Sequence, residues 1–338
     1  MATVGNLAAS GAFMTVLPRS LLVLAAVLAT AIPVSHAAAA FPDRPIRLVV
    51  PFPPGGTTDV LARVIADPLG QALGTTVVVE NRNGAAGRIG TEYVVRADPD
   101  GYTLGIATVS STAITPVVYK NLSYDVLTDL APITRLAAVP NVLVVSPSLG
   151  VNDMAAFVEK LKSEPNKHMF GHAGTGSEAH MMGALFLQST QTTMTAVPYR
   201  GSSPALQDAL GGQVSAVFDN LPSSLPFIQA KKLTPLAIAY PKRIAALPDV
   251  PTFAEVGLAP VNDASFFGLV APGKTPPAVI EKINQAIVAV LKQPDVRNKL
   301  AGFSAEPIGN SPQEFGAELR AELEKQREIA AKANISLE

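Results

Sequence analysis

Four short stretches gather the residues that could hold a ligand. The first is PFPPGGTTD, Pro51–Asp59, between the apolar run Ile46–Val50 and the segment Val60–Ala66. Gly55 and Gly56, after Pro53 and Pro54, leave backbone amides uncovered. Thr57, Thr58 and Asp59 are helix-start residues. The first N–H groups of a helix lack internal partners, and the helix dipole favours negative charge there. Such a strand–glycine–helix junction is either a plain capped turn or a seat for a carboxylate or phosphate. The second stretch, Thr108-Val109-Ser110-Ser111-Thr112, again opens a helix with hydroxyls. The third, Gly171–His180, holds Thr175, Gly176 and Ser177; the fourth is Tyr199-Arg200-Gly201-Ser202-Ser203. Each alone reads as capping chemistry. Together, at matched strand ends in two halves of the chain, they argue for a cleft rich in donors and poor in fixed charge, which suits a small carboxylate.

Other chemistry is weakly supported. Ser177 lies between His172 and His180, so a periplasmic hydrolase using Ser177 and His180 is the enzyme alternative, but no GxSxG elbow surrounds the serine. The histidine spacing does not suit a metal. Gly84–Gly90 has the spacing GxxGxxG rather than GxGxxG, and no acid closes the next strand, so no dinucleotide is expected. No cofactor and no metal are expected. Asp219 ends a strand, where it either caps the next helix or accepts a bond from a ligand amine or hydroxyl.

These loops need strands and helices to position them, and the chain alternates the two for over two hundred residues, which implies an α/β fold with mostly parallel sheets. Strands are expected at Ile46–Pro51, Thr76–Glu80, Tyr102–Ala107, His168–His172, Val214–Phe218 and Leu236–Ala239, and helices at Met154–Ser163, Pro277–Lys292 and Pro312–Ala333. Phe315, Leu319 and Leu323 form a stripe on the last helix. Two long apolar stretches, Ile133–Ser146 and Ala264–Pro272, read as crossings between lobes, giving 41–138 plus 268–338 as the first lobe and 139–267 as the second.

Composition sets limits. Of 338 residues, 48% are apolar, enough for a substantial core. The formal charge is −1 and no basic cluster appears, which argues against nucleic acid. The chain has no cysteine, so disulfides and thiol chemistry are excluded. Pro18-Arg19-Ser20 and the apolar Leu21–Ile32, followed by small residues, resemble an export signal cleaved near Ala37 to Ala40; the late basic region also marks Met14 as an alternative start.

The motifs FPDRPIRLVVPFPPGGTTD, VVVENRNGAAGRIG, ADPDGYTL, FGHAGTGSEAHMMGALF, VPYRGSSPALQDALGGQV and FDNLPSSLPFI occur in order, followed by LPDVPTFAEVG and FGLVAPGKTPPAVIEKIN. In these the chain resembles the Bug family, the periplasmic substrate-binding proteins of tripartite tricarboxylate transporters, over Phe41 to Glu338. The resemblance implies a two-lobed periplasmic binding protein fold, type 2-like, with two crossing segments and no catalysis. It implies a ligand among di- and tricarboxylates, acidic amino acids and aromatic acids, delivered by a monomer to membrane permease subunits; a sensor serving a signalling receptor is the alternative. It places one ligand carboxylate on Pro54, Gly55, Gly56 and Thr57 with Thr108, Ser110, Ser111 and Thr112. The second lobe would contribute Thr175, Gly176, Ser177, Tyr199 and Asp219, partly through water. Many relatives carry His or Asn near Ser110–Thr112, and the small hydroxyls here imply a roomier pocket.

Overall fold

The computed structural model describes residues 41–333, together with Gly5 and Gly11. The expected export signal and its cleavage region lie outside the described residues. Among the described residues, no helix is long and apolar enough to cross a membrane.

Among the described residues, eleven strands form two sheets. The first sheet has the order β11-β4-β10-β3-β1-β2. Its members are β1 (Ile46–Val50), β2 (Val77–Asn81), β3 (Thr103–Thr108), β4 (Leu130–Val139), β10 (Ser265–Pro272) and β11 (Glu306–Pro307). The second sheet has the order β7-β6-β8-β5-β9, from β5 (Asn141–Val145), β6 (Met169–His172), β7 (Thr195–Pro198), β8 (Ala216–Asn220) and β9 (Thr234–Ala239). The expectation of mostly parallel sheets is corrected here. β1 runs parallel to β2 and β3, and β6 to β7 and β8. The long-range strands β10 and β5 run antiparallel to both of their neighbours, as does β11 to β4.

Strand periodicity explains why each sheet is covered on both faces. Side chains alternate along a strand. In β1, Ile46, Leu48 and Val50 enter one core with Leu61, Ile65 and Leu69 of helix Thr57–Leu73 and with Ile283 and Ile287 of helix Pro277–Lys292. Val49 points the other way, into a core shared with Val270, Phe315 and Leu319. The expected stripe Phe315, Leu319, Leu323 is buried at 0, 3 and 3% exposure. β5 repeats the logic: Leu143 and Val145 face one core, Val142 and Val144 another.

The chain passes from the first sheet to the second at Pro140, between β4 and β5, and returns where β10 begins at Ser265. Proline has no backbone N–H to donate to a ladder, so a strand breaks there at little cost. The long run Ile133–Ser146 is therefore two strands in two sheets. Helix Pro294–Gly302 and the short turn of helix Val126–Asp129 are among the elements that the sequence reading does not contain.

Candidate functional site

The loop after β1 is shaped by one carboxylate. Asp59 sits on the first turn of helix Thr57–Leu73 and is 3% exposed. Its Oδ2 accepts from the Gly55 N–H and from Arg63 Nε, each at 3.0 Å, and its Oδ1 accepts from Asn81 Nδ2 at 2.9 Å. Burial pushes the Asp59 carboxyl up, but Arg63, the Gly55 amide and Asn81 together outweigh it and hold it below the usual range. Gly55 adopts φ of 81°, a left-handed conformation that favours glycine. The helix then starts at Gly56, which has no side chain to cap it. The amides at the start of this 17-residue helix therefore have no side-chain cap from the N-cap position.

A cavity of about 30 Å³ lies where this helix start meets the second sheet. On the first-sheet side it is lined by Phe52, Pro53, Gly56, Thr57, Thr58, Thr108, Ser110 and Phe267. From the other side come Ala173, Ser177, Glu178, Ala179, Met182, Ser202, Asp219 and Asn220, with Asn141 and Ser265 from the two crossings. Among the described residues, no lysine, arginine or histidine lines it. The two sides touch directly. The Thr57 hydroxyl lies 3.1 Å from Ser223 Oγ and accepts from the Ser223 N–H at 3.2 Å. The Ser203 hydroxyl donates to the Pro54 carbonyl at 3.3 Å, and the Tyr119 hydroxyl to the Thr175 carbonyl at 3.3 Å. The Glu178 N–H donates to Ser110 Oγ at 3.0 Å.

Of the residues expected to hold ligand, Gly56, Thr57, Thr108, Ser110, Ser177 and Asp219 meet at this cavity. Seven do not line it. Pro54 and Gly55 stand in the turn, where the Gly55 amide is taken by Asp59. Ser111 and Thr112 bond back to Thr108: the Ser111 N–H donates to Thr108 Oγ1 at 3.1 Å, and the Thr112 hydroxyl to the Thr108 carbonyl at 2.8 Å. These two small hydroxyl residues thus fold onto their own turn, while Ser110 between Thr108 and Ser111 lines the cavity. Thr175 and Gly176 lie in the loop before helix Glu178–Thr190, where the Gly176 N–H donates to His180 Nδ1 at 3.3 Å. The Tyr199 hydroxyl donates to Asp208 Oδ2 at 2.6 Å, and burial with that partner pushes it up to about 12. The serine and histidine of the hydrolase alternative do not pair through their side chains. Ser177 Oγ accepts from the His180 N–H as a helix cap, and His180 Nδ1 accepts from Gly176.

Sequence reasoning missed Asn141, Glu178 and Ser265. Glu178 stood in plain view between Ser177 and His180, but its partners come from 37 and 87 residues away. Glu178 Oε1 accepts from Asn141 Nδ2 at 2.9 Å, and Oε2 accepts from the Ser265 hydroxyl at 2.6 Å and from Asn220 Nδ2 at 3.5 Å. Burial pushes its carboxyl up to about 7, against the pull of Ser265 and Asn141. Asp219 is 1% exposed and is also raised by burial, opposed by the Ser202, Ser223 and Ser224 hydroxyls. Its Oδ2 accepts from Ser223 and Ser224 at 2.5 and 2.6 Å. Among the described residues Oδ1 has no hydrogen-bond partner by geometry, although the Ser202 hydroxyl is close enough to the carboxyl to pull it down.

This arrangement of two sheets, a double crossing and a cavity of amides and hydroxyls between them has a clear counterpart. Residues 61–335 match the family described as Tripartite tricarboxylate transporter family receptor. The chain belongs to this family. Protein BugT of Bordetella pertussis, strain Tohama I, is 37% identical, the match covering 91% of this chain and 95% of BugT. The solved structure of R. palustris Rpa4515 with adipate is 38% identical, with a TM-score of 0.85, covering 88% of this chain and 99% of that one. MatC from Rhodopseudomonas palustris with bound malate is 30% identical, with a TM-score of 0.81, covering 86% and 99%. The tripartite tricarboxylate transporter receptors, Bug proteins among them, are periplasmic solute-binding proteins that work with a transporter, and they are not enzymes. The resemblance to the Bug family and the two-lobed fold expected from it are thus borne out.

Proposed function

We propose that this receptor captures a small carboxylate between its lobes in the periplasm and presents it, as a monomer, to the membrane permease subunits of a tripartite transporter. The observation that carries the carboxylate is the uncapped start of helix Thr57–Leu73, whose Gly56, Thr57 and Thr58 line the cavity. The amides of Gly56, Thr57 and Thr58 supply donors and the positive end of the dipole. Thr108 and Ser110 supply hydroxyls beside them. Relatives with adipate and malate support the same class. We assign the lobes by sheet, dividing the chain at Pro140 and just before Ser265.

Ligand that bridges the lobes favours the closed state by the contacts it makes only there. The Thr57 hydroxyl bonds across the lobes and lines the cavity, so Thr57→Val removes both roles with little change in volume. Calorimetric titration with the best-binding carboxylate should show a loss of about tenfold, the size of one hydrogen bond to a charged group. Unchanged affinity in a variant with unchanged melting would move the carboxylate away from this helix start.

A further inference from the structure

We propose that Glu178 is a specificity residue, and that the ligand carries a protonated amine on the end that faces it, in addition to the carboxylate seated at the Thr57 helix. The proposal rests on the carboxylate reading above and narrows its substrate class. Three observations converge on it.

The cavity is lined by two buried acids, Glu178 and Asp219, and, among the described residues, by no basic side chain. A buried charge without a counter-charge is costly unless it is paired. Both acids are instead met by neutral donors: Asn141, Asn220 and Ser265 for Glu178, Ser223 and Ser224 for Asp219. A carboxylate accepts about four hydrogen bonds, so Glu178, with three donors, retains one acceptor position. Asp219 Oδ1 has no partner among the described residues. Besides the helix start, the cavity lining thus offers acceptors and negative charge on Glu178 and Asp219. A second ligand carboxylate there would meet like charge, whereas an ammonium would meet two carboxylates.

The surroundings explain why no protein group fills this role. Asp263 and Glu322 push the Glu178 carboxyl further up. Lys325, the nearby cation, is engaged by both of them. The same carboxyl ties together Asn141 at the first crossing and Ser265 at the second. Its own N–H reaches Ser110 of the opposite lobe. A cation placed against Glu178 therefore acts where closure is made, and its charge would favour the closed form that holds it.

The test is a calorimetric titration of the mature chain with matched series: succinate, malate and aspartate, then glutarate, 2-hydroxyglutarate and glutamate. The amino member should bind about tenfold or more tighter than its plain diacid, as a charge-assisted bond requires. In Glu178→Gln that ratio should fall toward one. Between pH 8 and 6 the wild-type affinity should fall for the amino member and rise for the plain one, as Glu178 takes up a proton. This pH response and the wild-type series stand without the variant if it fails to fold. Plain diacids that bind as tightly as amino acids overturn the proposal and leave the carboxylate reading intact. Failure of every member to bind overturns both.

Discussion

Replacing Glu178 with glutamine should reveal a pH-dependent stability that the native protein conceals. The folded carboxyl stands at about 7 against 4.5 for an ordinary glutamate, mainly through burial. An acid raised in the folded state contributes stability that is full below its unfolded value and is lost as pH rises through the folded one. A difference of about 2.5 units at 1.36 kcal/mol each sets an upper bound of about 3 kcal/mol, lost between pH 4.5 and 7. His172 works in the opposite sense. Burial, aided by the neighbouring His180 ring 4.6 Å away, lowers it from 6.5 to about 4. Its contribution is present above 6.5 and is lost as pH falls through 4, with a similar bound of about 3 kcal/mol. The two windows overlap, so they offset one another in the native chain. The glutamine side chain still accepts from Asn141 or Ser265, so repacking adds only a pH-independent offset. Urea melts of the ligand-free protein at pH 4.5, 5.5, 6.5 and 7.5 would measure this. The stability of Glu178→Gln minus that of the native chain should climb by up to about 3 kcal/mol from pH 4.5 to 7.5. For His172→Asn the same difference should climb as pH falls. Parallel curves for Glu178→Gln and the native chain would refute the reasoning, because a carboxyl of ordinary affinity for protons would then sit at the crossing.

Two other perturbations follow from the packing. A Cβ at Gly268 would stand 2.1 Å from Phe315 Cζ, in the interior where Phe315 is 0% exposed, so Gly268→Ala should cost about 1–3 kcal/mol in a urea melt. Adding Phe315→Leu should restore part of that loss; an additive cost would show that the clash is not the cause. Asp59→Asn should cost about 1–3 kcal/mol, since Gly55, Arg63 and Asn81 lose a shared charged acceptor. Asp59 is held below the usual range, so its contribution is present above an ordinary aspartate's range and lost below it, and the gap between variant and native chain should close in acid. A gap that persists in acid would refute this account of the loop.

Much of the frame was legible because it depends on local rules. Helices Met154–Ser163, Pro277–Lys292 and Pro312–Ala333 run as their apolar spacing and flanking prolines indicate. Gly74 ends its helix at φ of 72°, as a glycine stop should. Strand direction was less legible. β10 and β5 read as ordinary apolar strands, and nothing in their pattern tells that each returns antiparallel between partners from distant segments. The site divides in the same way. Gly56, Thr57, Thr108, Ser110, Ser177 and Asp219 lie at strand ends and helix starts, where sequence signals are strong. Asn141 and Ser265 lie at the two crossings and carry no local signal, because their role exists only once Glu178 meets them. Gly55 shows the limit of motif reading: its amide looked free for a ligand, and an acid four residues later in the same motif takes it.

The central claim is that a small carboxylate is captured against the uncapped helix start. Its most direct test is a calorimetric titration of the chain from Phe41 onward, shown to be folded and free of carried-over ligand, with mono-, di-, tri- and aromatic carboxylates and acidic amino acids. One-to-one binding confined to one carboxylate class is the expected result. At a hundredfold excess of ligand over its dissociation constant, stability should rise by about 2.7 kcal/mol. Absence of heat and of any stability change across all the acids would contradict it.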